Sequence, residues 1–191
     1  MRSVFERAFG DAAQALEALR ADTALAQGLE SFASWIAEVF RSGGRVLACG
    51  NGGSLADAMH FCEEFTGRFR NDRRPYAALP LSDPTHLTCT ANDYGYEHVF
   101  SRLVTAYGRQ GDLLLVLSTS GNSPSILQAM ESAKAGGIRT VAFLGKGGGK
   151  AAASADLALV FPGATSDRIQ ELHMLALHAV IEAVESELGH G

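Results

Sequence analysis

The sequence predicts an α/β fold, with a five-stranded parallel sheet flanked by helices in a flavodoxin-like arrangement and additional helices at the N-terminus. Short apolar runs recur at strand length: "RVLACG" at 45–50, "YAALPL" at 76–81, "DLLLVLS" at 112–118, "RTVAFLG" at 139–145 and "DLALVF" at 156–161. Between several of them, apolar residues return at helical spacing, over 54–67, 97–107 and 123–136. Apolar strands joined by helical crossovers make a parallel sheet covered on both faces.

Each element has its own signal. Residues 1–42 read as two helices, with Phe5, Phe9, Ala12, Leu16 and Leu19 on one face and Phe32, Ile36, Val39 and Phe40 on another; Gly43-Gly44 ends them. The period then changes, and the apolar run 45–50 opens the sheet. Its glycine loop leads into the helix 54–67. The run 76–81 is a weaker strand and 112–118 the strongest. Pro124 suits the first turn of the helix that follows, with Ser123 before it as a natural N-cap. The strands at 139–145 and 156–161 follow, and a final helix covers roughly 166–188. With 191 residues, 47% of them hydrophobic, the chain has the size of one domain, residues 1–191, in which 1–42 are N-terminal helices and 43–191 the α/β core with its C-terminal helix.

Composition narrows the function. The net charge of -5 lacks the basic stripe that phosphate backbones require, so nucleic acid is not the expected partner. No apolar stretch approaches a membrane span, and the N-terminus lacks the apolar core of a signal peptide. Cys49, Cys62 and Cys89 are scattered and odd in number, which reads as reduced thiols in a cytoplasmic protein.

Two loops carry the chemical signals. "CGNGGSL" at 49–55 follows the first strand, where a dinucleotide fingerprint would lie, but its sixth position is Leu55, and no Gly-Lys-Ser/Thr closes it as a P-loop. Glycines there still let a ligand approach the backbone. A tight strand–helix turn, with Ser54 and Asp57 as a capping pair, explains the same residues. "STSGNSPS" at 118–125 is more telling. Capping accounts for Ser123 and Pro124 but leaves Ser118, Thr119 and Ser120 beside the free N–H groups of a helix start. That combination suits an anion, and without a lysine it suits a monophosphate. A hydroxyl-rich turn with no ligand is the competing reading.

The helices add titratable groups. Asp57, His60 and Glu64 are spaced i, i+3, i+7 on one face, and Glu63 is also within reach of His60. A carboxylate and an imidazole one turn apart suit metal ligation or acid–base work, and equally a solvated stripe. On the last helix Gln170, His173 and His178 interrupt an apolar pattern, and His178 falls in a stretch expected to be buried. Gln170 and His178 are eight residues apart, roughly 12 Å along a helix axis, so a neighbouring subunit is one way for both to meet a single small ligand.

"GNGGSLADAMHFCEEFTGRFR", "TANDYGYEHVFSR", "STSGNSPSIL" and "DRIQELHMLALH" together resemble the sugar isomerase (SIS) domain family, and within it the isomerases of sedoheptulose 7-phosphate. The resemblance spans nearly the whole chain. It implies a homotetramer with active sites at subunit interfaces, acting on a phosphorylated heptose at the first step toward the nucleotide-activated heptose of lipopolysaccharide cores. The implied catalytic pair is Glu64 and His178. Substrate contacts fall on Asn51, Gly52, Gly53, Ser54, Glu64, Asn92, Asp93, Ser118, Thr119, Ser120, Ser123, Asp167 and Gln170. Zinc, one ion per subunit, is implied at His60, Glu64, Gln170 and His178. Two other readings share the serine loop: a non-catalytic SIS regulator or scaffold, which the presence of Glu64 and His178 argues against, and an isomerase of a different phosphosugar, which a substrate assay separates.

Overall fold

The computed structural model describes residues 3–190. Two N-terminal helices, α1 (Val4–Ala21) and α2 (Thr23–Arg41), precede β1 (Val46–Gly50) and α3 (Gly53–Thr66). Then come β2 (Ala78–Pro80), α4 (Pro84–Tyr94), α5 (Ser101–Tyr107), β3 (Leu113–Ser118), α6 (Pro124–Ala135), β4 (Arg139–Leu144), the short α7 (Gly149–Ala152), β5 (Leu157–Val160) and α8 (Ser166–Glu187). The five strands are all parallel, in the order β2-β1-β3-β4-β5. The chain leaves β1 toward one edge and returns through β3 toward the other. A crevice therefore opens beyond the carboxyl ends of β1 and β3, where doubly wound sheets bind their ligands.

Every residue of β1 and β3 is buried. Side chains alternate across the sheet. Leu113, Leu115 and Leu117 join Phe32, Phe61, Phe65, Leu177 and Val180 on one face. Leu114 and Val116 join Phe100, Ile126 and Met130 on the other. Helices α2, α3 and α8 thus share one layer, and α5 and α6 lie in the opposite one. Because α3 and α8 pack on each other within one layer, the polar groups on both come together.

The structure corrects several local expectations. Ser54 does not cap α3. The helix begins one residue earlier, its N-cap is Gly52 at φ 58°, and no side chain caps it. A left-handed residue at that point turns β1 into α3, which explains a glycine there. Residues 84–94 form a helix that apolar periodicity does not reveal; its signal is Asp83-Pro84, with the Asp83 carboxylate accepting from the His86 N–H at 2.7 Å and proline in the first turn. Phe5 and Phe9, expected on a packed face, are 71% and 70% exposed. His173, not His178, is the fully buried histidine of α8. No described helix is long and apolar enough to cross a membrane.

Candidate functional site

The crevice at the switch point forms a cavity of about 300 Å³ lined by Asn51, Gly52, Gly53, Ser54, Leu117, Ser118, Thr119, Ser120, Ser123, Ser166 and Gln170. None of these residues is cationic. Ser118 Oγ accepts from the Gly121 N–H at 3.1 Å, which fixes the loop that ends β3. Ser123 occupies the N-cap position of α6, yet its hydroxyl accepts no N–H from the helix. Both the hydroxyl and the helix terminus thus remain available to a ligand. Thr119 and Ser166 pair at 3.1 Å, and Lys146 Nζ donates to Ser166 at 3.3 Å. Asn51 donates to Ser125 at 3.1 Å and accepts from the Tyr96 hydroxyl at 2.8 Å, so its amide is held from both sides. Gln170 lies flat against α3. A Cβ on Gly53 would come within 2.7 Å of its Oε1, and its Nε2 donates to Ser54 Oγ at 3.4 Å. The chemistry of this cavity is that of an anion site built from hydroxyls and backbone dipoles.

A second cluster lies further along α3 and α8. His60 Nε2 and Glu64 Oε1 are 3.1 Å apart, and the Glu64 side chain is 15% exposed. The His60 and His178 rings meet edge to face at 5.1 Å, and Phe69 stacks on His178 at 5.8 Å and 22°. One donor atom from each of His60, Glu64 and His178 lies within 4.8 Å of the others. Asp57, one turn earlier, has a buried Oδ2 with no partner. Burial raises its carboxyl to about pH 6, against the opposing influence of His60.

The two clusters are separate within one chain. From Ser54 to Glu64 is ten residues, roughly 15 Å along a helix. The spacing of Gln170 and His178 along α8 agrees. Gln170 belongs to the hydroxyl cavity, so three of the four sequence-predicted ligands converge and the fourth stands apart. Asn92 and Asp93 lie outside the cavity lining. The Asp93 carboxylate accepts from Asn92 at 2.8 Å and from the Cys89 thiol at 3.4 Å. Asp167 is exposed at the start of α8; hydrogen bonds from Thr165 and then Arg168 hold its carboxyl down, at about pH 2. Sequence reasoning missed Tyr96, Ser125 and Ser166. A run of hydroxyls at a predicted helix start, as in "TSD" at 165–167, was the available signal for Ser166.

A family model described as the SIS domain matches residues 9–145. A phosphoheptose isomerase of Fusobacterium nucleatum is 56% identical over 156 residues, covering 82% of this chain and 80% of its own. One from Vibrio vulnificus is 50% identical over 179 residues, covering 93% of this chain and 94% of its own. Among solved structures, a phosphoheptose isomerase from Neisseria gonorrhoeae superimposes with a TM-score of 0.89 at 37% identity, over 96% of this chain and 100% of that one.

Proposed function

The chain belongs to the SIS domain family, and from that premise we propose that it is a phosphoheptose isomerase, interconverting D-sedoheptulose 7-phosphate and D-glycero-D-manno-heptose 7-phosphate. The observation that carries this beyond family membership is a hydroxyl-lined cavity at a helix N-terminus together with a carboxylate–imidazole cluster on the neighbouring helical surface.

The hydroxyls of Ser118, Thr119, Ser120 and Ser123, with the N-terminus of α6, receive the phosphate. Gly52 and Gly53 let the sugar lie against α3, and Asn51, Ser54 and Gln170 take its hydroxyls. At the reacting end, Glu64 removes a proton from C1 while His178 gives one to the C2 oxygen, forming the enediol. Glu64 then returns its proton to C2 as His178 accepts the proton of the C1 hydroxyl. His60 holds Glu64 Oε1 and leaves Oε2 for the carbon proton. A carboxylate and an imidazole suit these two roles.

The separation of the clusters supports a site shared between subunits. Roughly 15 Å along α3 exceeds what a seven-carbon chain spans between C1 and C7, so the hydroxyl cavity of one subunit is paired with the Glu64–His178 cluster of another. Asn92, Asp93 and Asp167, which stand outside the cavity of their own chain, complete a neighbour's site. A homotetramer fits this arrangement, and the exposed Phe5–Phe9 pair on α1 supplies apolar surface for assembly. The three unpaired cysteines favour a reducing compartment, the cytoplasm. The product enters the synthesis of nucleotide-activated heptose for lipopolysaccharide.

His60, Glu64 and His178 have the nitrogen and oxygen donors that zinc takes. Gln170 of a neighbouring subunit is the fourth candidate. Zinc bound there supplies a Lewis acid for the sugar carbonyl. Elemental analysis of protein purified without added metal is expected to find about one zinc per chain, lost in His60→Ala. Incubation with sedoheptulose 7-phosphate, followed by NMR, tests the reaction itself. Formation of the aldoheptose phosphate is expected; conversion of a different phosphosugar in its place transfers the chain to another SIS activity.

A further inference from the structure

Arg73 lies in the segment between α3 and β2, outside both clusters. Its side chain is 1% exposed and that of its partner Glu185, on α8, is 6% exposed; Nε donates to Glu185 Oε1 at 2.8 Å. The rest of the guanidinium is spent on backbone carbonyls. It donates to Glu64 O at 2.6 Å, Phe65 O at 2.8 Å, Gly67 O at 3.0 Å and Arg74 O at 3.3 Å. These include the last carbonyls of α3, which have no partner inside the helix. One side chain therefore ties the end of the helix that carries Glu64 to the helix that carries His178. It also pins the segment after Gly67, whose Phe69 stacks on the His178 ring.

We propose that Arg73, locked to Glu185, is a positioning residue of the acid–base site, setting the distance and orientation between Glu64 and His178. A buried ion pair adds little net stability, and apolar residues of similar volume often hold a fold as well or better. What apolar residues cannot do is fix four backbone carbonyls and a carboxylate in one planar fork. Lysine retains the charge but not the fork. The role is distinct from that of the serine loop, which lies at the other end of α3 and makes no contact with this pair.

The inference rests on the isomerase reading, so wild-type turnover of sedoheptulose 7-phosphate is measured first; without it both fall together. Two variants then test the inference alone. Arg73→Met with Glu185→Leu removes both charges and keeps apolar packing. Arg73→Lys keeps the ion pair. Melting temperature, KM and kcat are measured for each, with kcat expressed per folded chain. The double variant is expected to melt near the wild type, to keep KM within about threefold, and to lose kcat on the order of 10²-fold, the cost of a misplacement near 1 Å. Arg73→Lys is expected to fold and to lose kcat about tenfold, because the carbonyls go unheld. A folded variant of either kind with wild-type kcat overturns the proposal and leaves the pair a structural staple. Each variant decides independently, so failure of one to fold leaves the other to give the answer.

Discussion

His173 shows how environment overrides residue type. It packs edge-on to Phe161 and Phe143 at 4.6 and 5.6 Å, and its Nε2 shares the Leu144 carbonyl, 3.2 Å away. Burial lowers its pKa from 6.5 to about 4. The unfolded chain thus binds a proton that the folded chain refuses between those values, and stability falls as pH drops through that window. The full effect is on the order of 3 kcal/mol, complete below about pH 4. His173→Leu should flatten this acid limb in melting experiments from pH 7 to pH 4. It should cost little at neutral pH, because the Phe161 N–H also donates to the Leu144 carbonyl at 2.8 Å. Asp57, raised to about 6, has the opposite dependence, since the folded chain binds its proton more readily. From sequence, both His173 and His178 interrupt an apolar helix, and the local pattern points to His178 as the buried one. Their difference comes from which side of α8 meets the sheet, and that is a tertiary fact. Arg73 was equally unreadable, since a basic residue in an arginine-rich loop normally faces water.

At the scale of elements, the central strands were legible because parallel strands buried on both faces must be continuous apolar runs, and the partly exposed edge strands β2 and β5 also lie where apolar runs fall. The serine loop was legible as a helix start. What the sequence left open was whether Ser123 caps α6 or serves a ligand. With no helix N–H bonded to its hydroxyl, Ser123→Ala should leave the melting temperature within about a degree, since the ~1 kcal/mol of a working cap is not there to lose, and should raise KM for the phosphosugar. Ser120→Ala should also raise KM. A lower melting temperature with unchanged KM in Ser123→Ala would return it to a capping role. Helix α4 escaped detection because its exposed polar residues lack an apolar stripe; only Thr90 of that helix is buried. The cap of α3 was misassigned because Gly52 and Ser54 are both acceptable helix-start residues, and the left-handed turn at Gly52 decides between them.

At the scale of the whole molecule, the sequence identified the chemical groups but not their grouping. The resemblance groups Gln170 with His178 in one ligand set although eight residues of helix part them, and the fold puts Gln170 with the hydroxyl cavity and His178 with Glu64. A site assembled across subunits makes a specific prediction. Ser120→Ala and Glu64→Gln chains, each deficient as pure assemblies, should recover activity when mixed, dissociated and reassembled, because some interfaces then pair an intact cavity with an intact acid–base cluster. Mixed assemblies no more active than the average of their parents would place both halves of the site in one chain.

The central claim is that Glu64 moves the proton of an aldose–ketose isomerisation. It is tested most directly by the turnover of sedoheptulose 7-phosphate by Glu64→Gln, with Glu63→Gln alongside. Glu63 is exposed one residue away and takes no part in the cluster. A positioned base contributes about 10²–10⁴-fold, so Glu64→Gln should fold normally, bind the sugar and lose kcat by about that factor, while Glu63→Gln keeps wild-type turnover. Near-wild-type kcat in a folded Glu64→Gln chain would contradict the account.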